Sequence, residues 1–548
     1  MKNDEFTRMF DPFGIASSGA EVWRAMIADP EQLIRSQQKL ADAWAELLQS
    51  GPSRPTAPEK NDKRFAHPAW AENPSFNLLK RAYLTASDAI ISSIEATRGA
   101  DRKTLRRAKF FVQQLIDAMS PTNMACFNPA VIEETMRTGG QNLANGMKNL
   151  LEDLTQNNGR VPLVDKNAFD VGRNVAMSAG KVVHRNDLAE LIQYAPATAT
   201  VHTRPVLVVS PWINKYYVLD LQPTNSFIKN LVERGYTAFV ISWRNPDAAM
   251  ADTSMEDYLT KGPLECSRVA TNICKTPDLN VVGYCIGGTL VAMLLAYLAA
   301  RQERLVHSAT LLASLIDFED AGEIDAFLGE DALAALEKKM SERGYLQGSE
   351  MGDTFNMLRS NDLIWSVAVN RYLLGKDAPA FDLLYWNSDS TRMPRAMHSY
   401  YLRNMYVENN LVKPNTLRVL DTPIDLRRVK NDVYCVATLE DHIAPWRSVY
   451  QTVHLFSGQV QFRLGHSGHI AGIVNPPSRE KGHWWSAPTK TGGADEWLSR
   501  AQQHEGSWWA DWNDWLAVRS GPQVKARKPG NKKYPAGEDA PGSYVREK

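Results

Sequence analysis

Cysteine is scarce in this sequence, and its spacing is not that of a disulfide framework or a metal site. The 548 residues include five cysteines, at positions 126, 266, 274, 285 and 435. The number is odd, none forms a Cys-x-x-Cys pair, and no histidines cluster beside them. The pattern predicts free thiols in a reducing compartment, and it predicts neither a metal nor a cofactor.

The sequence also lacks an excess of charge of either sign and a long apolar run. Lys and Arg number 62, Asp and Glu number 62, and the formal net charge is zero. A chain without a basic field is not expected to bind nucleic acid. No stretch offers the roughly 18 unbroken apolar residues of a membrane span, and the first residues are polar and acidic. We therefore expect a cytoplasmic protein without a membrane span.

The most informative stretch is Gly283-Tyr284-Cys285-Ile286-Gly287. An apolar, β-rich run precedes it, and apolar residues at helical spacing follow it, which predicts a strand, a tight turn and a helix with Cys285 at the turn. Glycines on either side would let the strand and the helix approach closely. The pattern is typical of the nucleophile elbow of an α/β-hydrolase, with cysteine in place of serine. The alternatives are a phosphate-binding turn, whose Walker A and Gly-x-Gly-x-x-Gly patterns are missing here, and a structural cysteine.

Periodicity divides the chain into a helical part and an α/β part. We predict a helical N-terminal domain at 1–190, which includes a linker at 51–58, and an α/β-hydrolase catalytic domain at 191–548 with a cap inserted at roughly 315–420. The composition near 525–533 predicts a basic tail that is a solvated extension of the chain. Short apolar runs bounded by turn residues predict buried parallel strands at 206–210, 237–242, 279–282, 308–314, 433–438 and 460–464.

Candidate acid and base residues follow the last two of these strands. Asp441 comes after the strand at 433–438 and His469 after the strand at 460–464, so the chain order is nucleophile, acid, histidine, as in α/β-hydrolases. Spacing alone leaves alternatives open at both positions. The competing acids and histidines are Glu440, Asp432, His466 and His442.

An oxyanion hole is expected from two backbone N–H groups. One belongs to Ile286, directly after the nucleophile, and the other to the loop after the strand at 206–210, where we select Ile213. The alternative for that loop is an ordinary connection between a strand and a helix.

A cysteine nucleophile favours acyl transfer from a thioester. An acyl group that moves from coenzyme A to Cys285 remains a thioester, so it keeps enough driving force to form an oxygen ester with a hydroxyl acceptor. The motif thus fits transfer to an alcohol better than ester hydrolysis, although both remain open.

The whole set of motifs resembles the polyhydroxyalkanoate (poly-3-hydroxybutyrate) synthases, over nearly the whole chain from about Phe65 to Val545. The matching stretches are PWINKYYVLD at 211–220, SWRNPD at 242–247, GYCIGG at 283–288, FDLLYWN at 381–387, DHIAPW at 441–446 and SGHIAG at 467–472, with weaker matches in GSWW at 506–509 and APGSYV at 540–545. The family's catalytic cysteine, aspartate and histidine fall on Cys285, Asp441 and His469. At position 466 many members have a small residue, so His466 is a departure that could perturb the base.

The resemblance implies an enzyme that polymerises (R)-3-hydroxyacyl-CoA, with 3-hydroxybutyryl-CoA as the expected substrate, and that releases CoA through a Cys-bound thioester. It implies the single-subunit, short-chain (class I) type, a homodimer, and a cytoplasmic location on polyester granules. The growing polyester, the granule surface and granule-associated proteins are the candidate partners. The alternative activity is that of a cysteine hydrolase, either an intracellular polyester depolymerase or a thioesterase. An alternative outside enzymes is a granule-coating scaffold on the same fold with an inactive site.

Overall fold

The computed structural model describes residues 15–49, 62–157, 159–489 and 492–548. Its contacts divide the chain into two compact units. The helical unit contains Met1–Lys166, Asp325–Ala335 and Asp353–Phe381, and the sheet unit contains Asn167–Ile324, Leu336–Gly352 and Asp382–Lys548. The linker predicted at 51–58 lies outside the described residues. Among the described residues, no helix has the length and apolar character needed to cross a membrane.

Proline and asparagine mark the helix starts of the helical unit. Pro74 and Pro129 occupy first helical positions, where a missing N–H costs no hydrogen bond, and the side chains of Asn73 and Asn128 cap the same helices. Gly139, with φ of 59°, ends the second of them in the left-handed region. The main helices of this unit's first segment are Ile15–Ala28, Pro30–Gln49, Ala69–Glu72, Pro74–Glu95, Arg102–Ala118, Pro129–Thr138 and Gln141–Gln156.

A ten-stranded sheet forms the sheet unit. Its strands in chain order are β1 (Gly180–Arg185), β2 (Ala189–Tyr194), β3 (Val206–Val209), β4 (Ala238–Trp243), β5 (Leu279–Tyr284), β6 (Val306–Leu312), β7 (Asp432–Thr438), β8 (Val460–Gly465), β9 (His483–Ser486) and β10 (Gln502–Glu505). Their spatial order is β1-β2-β4-β3-β5-β6-β7-β8-β9-β10. The six central strands, from β4 to β8, pair in parallel, and the two strands at each edge pair antiparallel.

The six parallel strands are those that the apolar runs predicted, and the α/β-hydrolase fold is confirmed. They bury almost every residue because helices cover both faces of such a sheet. The helices that follow β3, β4 and β5 are Phe227–Glu233, Met255–Leu259 with Glu265–Cys274, and Ile286–Ala300. β1 ends before residue 191, where we predicted the catalytic domain to begin, and β2 spans that residue. Both strands belong to the sheet, since β1 pairs with β2 and β2 pairs with β4. The division at residue 190 stays a prediction.

Between β6 and β7 the chain leaves the sheet and becomes mainly helical. Its helices are Glu330–Arg343, Gly348–Leu358, Ser366–Ala368, Asp382–Ser388 and Arg395–Tyr401, with π-helical turns at Asn361–Trp365, Val369–Leu373 and Leu402–Val407. This stretch includes 315–420, and its role as a cap stays a prediction.

The basic segment near the end of the chain is not a solvated extension, so that prediction was wrong. Gln523–Lys525 pairs as a short strand with Thr200–His202. Arg527 then donates to the carbonyl of Thr203, and the N–H of Gly530 donates to the side chain of Gln193. These hydrogen bonds fix the segment on the sheet unit. Helix Trp509–Ala517 precedes it.

Candidate active site

Cys285 lies between the end of β5 and the start of helix Ile286–Ala300. Its backbone has φ of 54° and ψ of −126°, a conformation that non-glycine residues rarely adopt. The neighbouring glycines make this bend possible, because a Cβ on Gly287 would lie 2.3 Å from the carbonyl oxygen of Val209 and one on Gly283 would lie 2.5 Å from the backbone of the helix. The sequence therefore places a strained, partly exposed thiol at the carboxyl end of the central strand.

Asp441 and His469 meet at the ends of β7 and β8. Asp441 Oδ2 lies 2.7 Å from His469 Nδ1 and also accepts a hydrogen bond from Thr438 Oγ1 at 3.2 Å. Asp441 Oδ1 accepts the backbone N–H groups of Ile443 at 2.9 Å and Ala444 at 2.8 Å. An ionised carboxylate only accepts hydrogen bonds, so His469 donates its Nδ1–H to Asp441. Nε2 is then the ring nitrogen that can accept a proton.

The electrostatics of His469 favour its protonated form. Burial by itself lowers the pKa of this imidazole, but the charges of Asp441 and Cys285 and side-chain hydrogen bonds to both raise it well above its ordinary value of 6.5. The Asp441 carboxylate and the Cys285 thiol thus both raise the pKa of the His469 ring. An imidazole with this environment can take a proton from the Cys285 thiol and hold it.

The structure separates these residues from three of the four alternatives that spacing left open. Asp432 lies at the opposite end of β7 and pairs with Arg519 at 2.9 Å. Glu440 is exposed, and its backbone N–H donates to Ser467. The ring of His466 lies beside that of His483, with 5.1 Å between their centroids. Among the candidates, Asp441 and His469 are therefore the pair that the fold brings together.

The two expected oxyanion donors lie on separate elements. Ile286 is the first residue of its helix, so its N–H has no carbonyl partner within that helix. Ile213 lies in the loop after β3, and its carbonyl accepts the N–H of Thr391 at 3.1 Å.

Several supporting residues were not identified from the sequence. The ring of Tyr284 stacks on His469 with 5.6 Å between centroids, and its hydroxyl donates to the His469 carbonyl at 3.3 Å. Trp508 Nε1 donates to the carbonyl of Gly472 at 2.9 Å, which fixes the loop that carries His469. The GSWW match at 506–509 was the one signal that could have pointed to Trp508.

The Tyr401 side chain is buried near the thiol. Burial raises the pKa of its phenol, and Tyr406 and Cys285 add to the effect.

Comparisons with known proteins identify the family of this chain. Residues 61–231 match the family model of the poly-beta-hydroxybutyrate polymerase (PhaC) N-terminus, and residues 206–476 match that of the alpha/beta hydrolase fold. The poly(3-hydroxyalkanoate) polymerase of Methylorubrum extorquens is 44% identical, over 96% of this chain and 89% of that protein. The poly(3-hydroxyalkanoate) polymerase subunit PhaC of Rhizobium meliloti (strain 1021) is 42% identical over 100% and 90% of the two chains, and that of Cupriavidus necator is 40% identical over 97% and 90%. The chain therefore belongs to the poly(3-hydroxyalkanoate) polymerase family and is an acyltransferase.

Proposed function

We propose that this polymerase takes (R)-3-hydroxyacyl-CoA, with 3-hydroxybutyryl-CoA as its substrate, and extends a polyester through a thioester on Cys285. The observation that carries the proposal is the 2.7 Å contact of Asp441 with His469 beside a thiol on a strained turn. Polymerases at about 40% identity over nearly the full length support the substrate class.

The first half-reaction acylates the enzyme. His469 Nε2 takes the thiol proton of Cys285, and the thiolate attacks the carbonyl carbon of the acyl-CoA. The oxyanion that forms accepts hydrogen bonds from the N–H groups of Ile286 and Ile213. When the tetrahedral intermediate collapses, the bond to the CoA sulfur breaks, and His469 returns its proton to the departing thiolate.

The second half-reaction extends the chain. The 3-hydroxyl of an acyl unit attacks the thioester carbonyl on Cys285, and His469 accepts the hydroxyl proton. The Cys285 thiolate leaves and is reprotonated, and an oxygen ester has replaced a thioester. Asp441 stabilises the imidazolium in both halves, as its buried contact with His469 would allow.

The remaining features of the proposal concern organisation. We assign the chain to the single-subunit, short-chain (class I) type, active as a homodimer at a cytoplasmic polyester granule whose surface and associated proteins are its partners. The nearly full-length match to the Methylorubrum extorquens polymerase and the sequence His469-Ile470-Ala471-Gly472 support this assignment. The N-terminal domain at 1–190, the catalytic domain at 191–548 and a cap at 315–420 belong to the same proposal.

The test follows CoA release from (R)-3-hydroxybutyryl-CoA while the product is sized. We expect CoA release with high-mass polyester, both of which Cys285→Ala abolishes. Cys126→Ala removes an exposed thiol and is the matched control, with both signals intact. CoA release with free 3-hydroxybutyrate alone would show a thioesterase, and activity that survives in Cys285→Ala would refute the assignment of the nucleophile.

A further inference from the structure

A short segment of the sheet unit, residues 386–391, holds the loop that carries Ile213. Trp386 Nε1 donates to the carbonyl of Lys215 at 2.6 Å, and residues Asn214 and Ser390 form an isolated antiparallel bridge. Thr391 makes the other two contacts. The loop that follows β3 is therefore fixed mainly through its own backbone.

Thr391 binds both peptide groups that flank Ile213. Its hydroxyl donates to the carbonyl of Trp212, and its backbone N–H donates to the carbonyl of Ile213 at 3.1 Å. The first carbonyl belongs to the peptide between residues 212 and 213, and the second to the peptide between residues 213 and 214. One residue thus fixes the planes on either side of the Ile213 Cα atom.

The geometry of the peptide bond carries this contact to the proposed oxyanion donor. In a planar trans peptide, the C=O and the N–H point in opposite directions. The Trp212 carbonyl and the Ile213 N–H are the two ends of one such group. A hydroxyl that holds the carbonyl on one side therefore directs the N–H to the other side, and its hydrogen bond polarises that N–H as well.

Burial makes this hydroxyl hard to replace by water. Thr391 and Trp212 are each exposed by only 2%. The backbone N–H of the next residue, Arg392, donates to Asn245 Oδ1 at 2.9 Å, so the segment is also anchored to the loop after β4. The hydroxyl is consequently held at a fixed place relative to the sheet.

We infer that Thr391 is a positioning residue that orients the Ile213 N–H toward the oxyanion of the acylation step. The inference rests on the proposed function of Cys285 and Ile213. It assigns to the Thr391 hydroxyl an effect on the rate of acylation and not on the binding of acyl-CoA, because the charge that the N–H stabilises develops only in the transition state.

The test compares Thr391→Val, which keeps the shape and the backbone N–H but loses the hydroxyl, with Thr391→Ser, which keeps the hydroxyl. The measurement is single-turnover CoA release from (R)-3-hydroxybutyryl-CoA over a range of substrate concentrations. Since loss of one oxyanion donor costs about 10²–10³ in rate, a misdirected donor should cost about 10–100-fold. We expect that loss in the valine variant with an unchanged half-saturation concentration, and a serine variant within about threefold of the wild type by the same reasoning.

Thr271→Val is the matched control. Its buried hydroxyl donates to the carbonyl of Ser267 at 2.9 Å in helix Glu265–Cys274, so it loses the same kind of bond at a distance from the site. We expect no fall in the acylation rate. If Thr391→Val does not fold, Thr391→Cys, whose thiol is a weak donor, is compared with Thr391→Ser and should be slower.

Three results would overturn the inference. They are a valine variant as fast as the wild type, a serine variant as slow as the valine variant, and a cysteine variant as fast as the serine variant. Cys285→Ala, measured in parallel, separates this failure from that of the proposed function. An inactive Cys285→Ala beside a fast Thr391→Val refutes the inference alone, whereas activity in Cys285→Ala refutes the nucleophile and the inference with it.

Discussion

Replacing Asp441 by asparagine tests the role of the acid with almost no change in shape. In the wild type, Asp441 Oδ1 accepts two backbone N–H groups, from Ile443 and Ala444. The asparagine must keep its oxygen there, because its NH₂ group cannot accept those bonds. The NH₂ group then faces His469 Nδ1, which has to become an acceptor. The imidazole proton moves to Nε2, and the base that Cys285 needs is lost.

The magnitude follows from this change of tautomer. With an equivalent change, triads lose about 10⁴ in turnover, so we expect Asp441→Asn to lose about 10³–10⁴ in CoA release. The fold should persist because the two backbone bonds remain. The assay is thiol release from (R)-3-hydroxybutyryl-CoA, with thermal unfolding measured on the same samples. A variant that unfolds like the wild type and keeps more than about a tenth of its rate would refute the argument.

Asp432→Asn is the control for that experiment, since spacing alone also allowed this residue as the acid. It pairs with Arg519 at 2.9 Å at the far end of β7, and its side chain is 42% exposed. A partly exposed ion pair contributes about 1 kcal/mol or less, so we expect an almost unchanged rate and a small change in stability. A loss as large as that of Asp441→Asn would contradict the assignment of the acid to Asp441.

Two further predictions concern stability. Burial lowers the pKa of His398 from 6.5 to about 4. The neutral ring therefore makes its full contribution to the free energy of unfolding above pH 6.5, and this contribution is lost as the pH falls toward 4. The shift in pKa corresponds to roughly 3 kcal/mol. His398→Leu should therefore flatten the acid side of a profile of urea unfolding against pH, and an unchanged profile would contradict this. Gly287→Ala places a Cβ 2.3 Å from a backbone oxygen and should lower the free energy of unfolding by about 3 kcal/mol, as measured by thermal unfolding. Gly352→Ala meets nothing within 4 Å and lies in helix Gly348–Leu358, so it should raise that free energy by about 1 kcal/mol.

The elbow and the central strands could be predicted because side-chain identity itself is the physical constraint there. Only glycine leaves room at 283 and 287 for the helix to approach the strand. Parallel strands are buried on both faces, so they appear as short apolar runs, and all four residues of β3 are buried. Such signals can be recognised in the sequence without knowing which residues pack against them.

The edge strands could not be predicted in this way. β10 has the sequence QQHE and is largely exposed, and β9 is only partly buried. Neither contains an apolar run, and each is a strand because a neighbour supplies a ladder of hydrogen bonds. The same applies to Gln523–Lys525. The basic composition of this region predicted a solvated extension, but the segment is a strand because it pairs with Thr200–His202.

The choice of acid shows a second limit. Glu440 and Asp441 are adjacent carboxylates after one strand, so their spacing to Cys285 is practically the same. What separates them is the turn, in which the N–H of Asp441 donates to the carbonyl of Thr438 while its side chain accepts the N–H groups of the residues that follow. The family resemblance selected Asp441 because it preserves the motif, and spacing could not.

The residues that support the loop carrying Ile213, the proposed oxyanion donor, are the hardest to recognise in the sequence. The loop accepts hydrogen bonds from Thr391 and Trp386 through the carbonyls of residues 212, 213 and 215. Every residue type has a backbone carbonyl, so the sequence of the loop does not show which residue binds it. The residues that do so also lie far along the chain. A position of this kind is found from coordinates and tested by its effect on rate. If Thr391→Val leaves acylation unchanged, the orientation of Ile213 is set by the loop's own backbone, and the contacts from 386–391 only stabilise the fold.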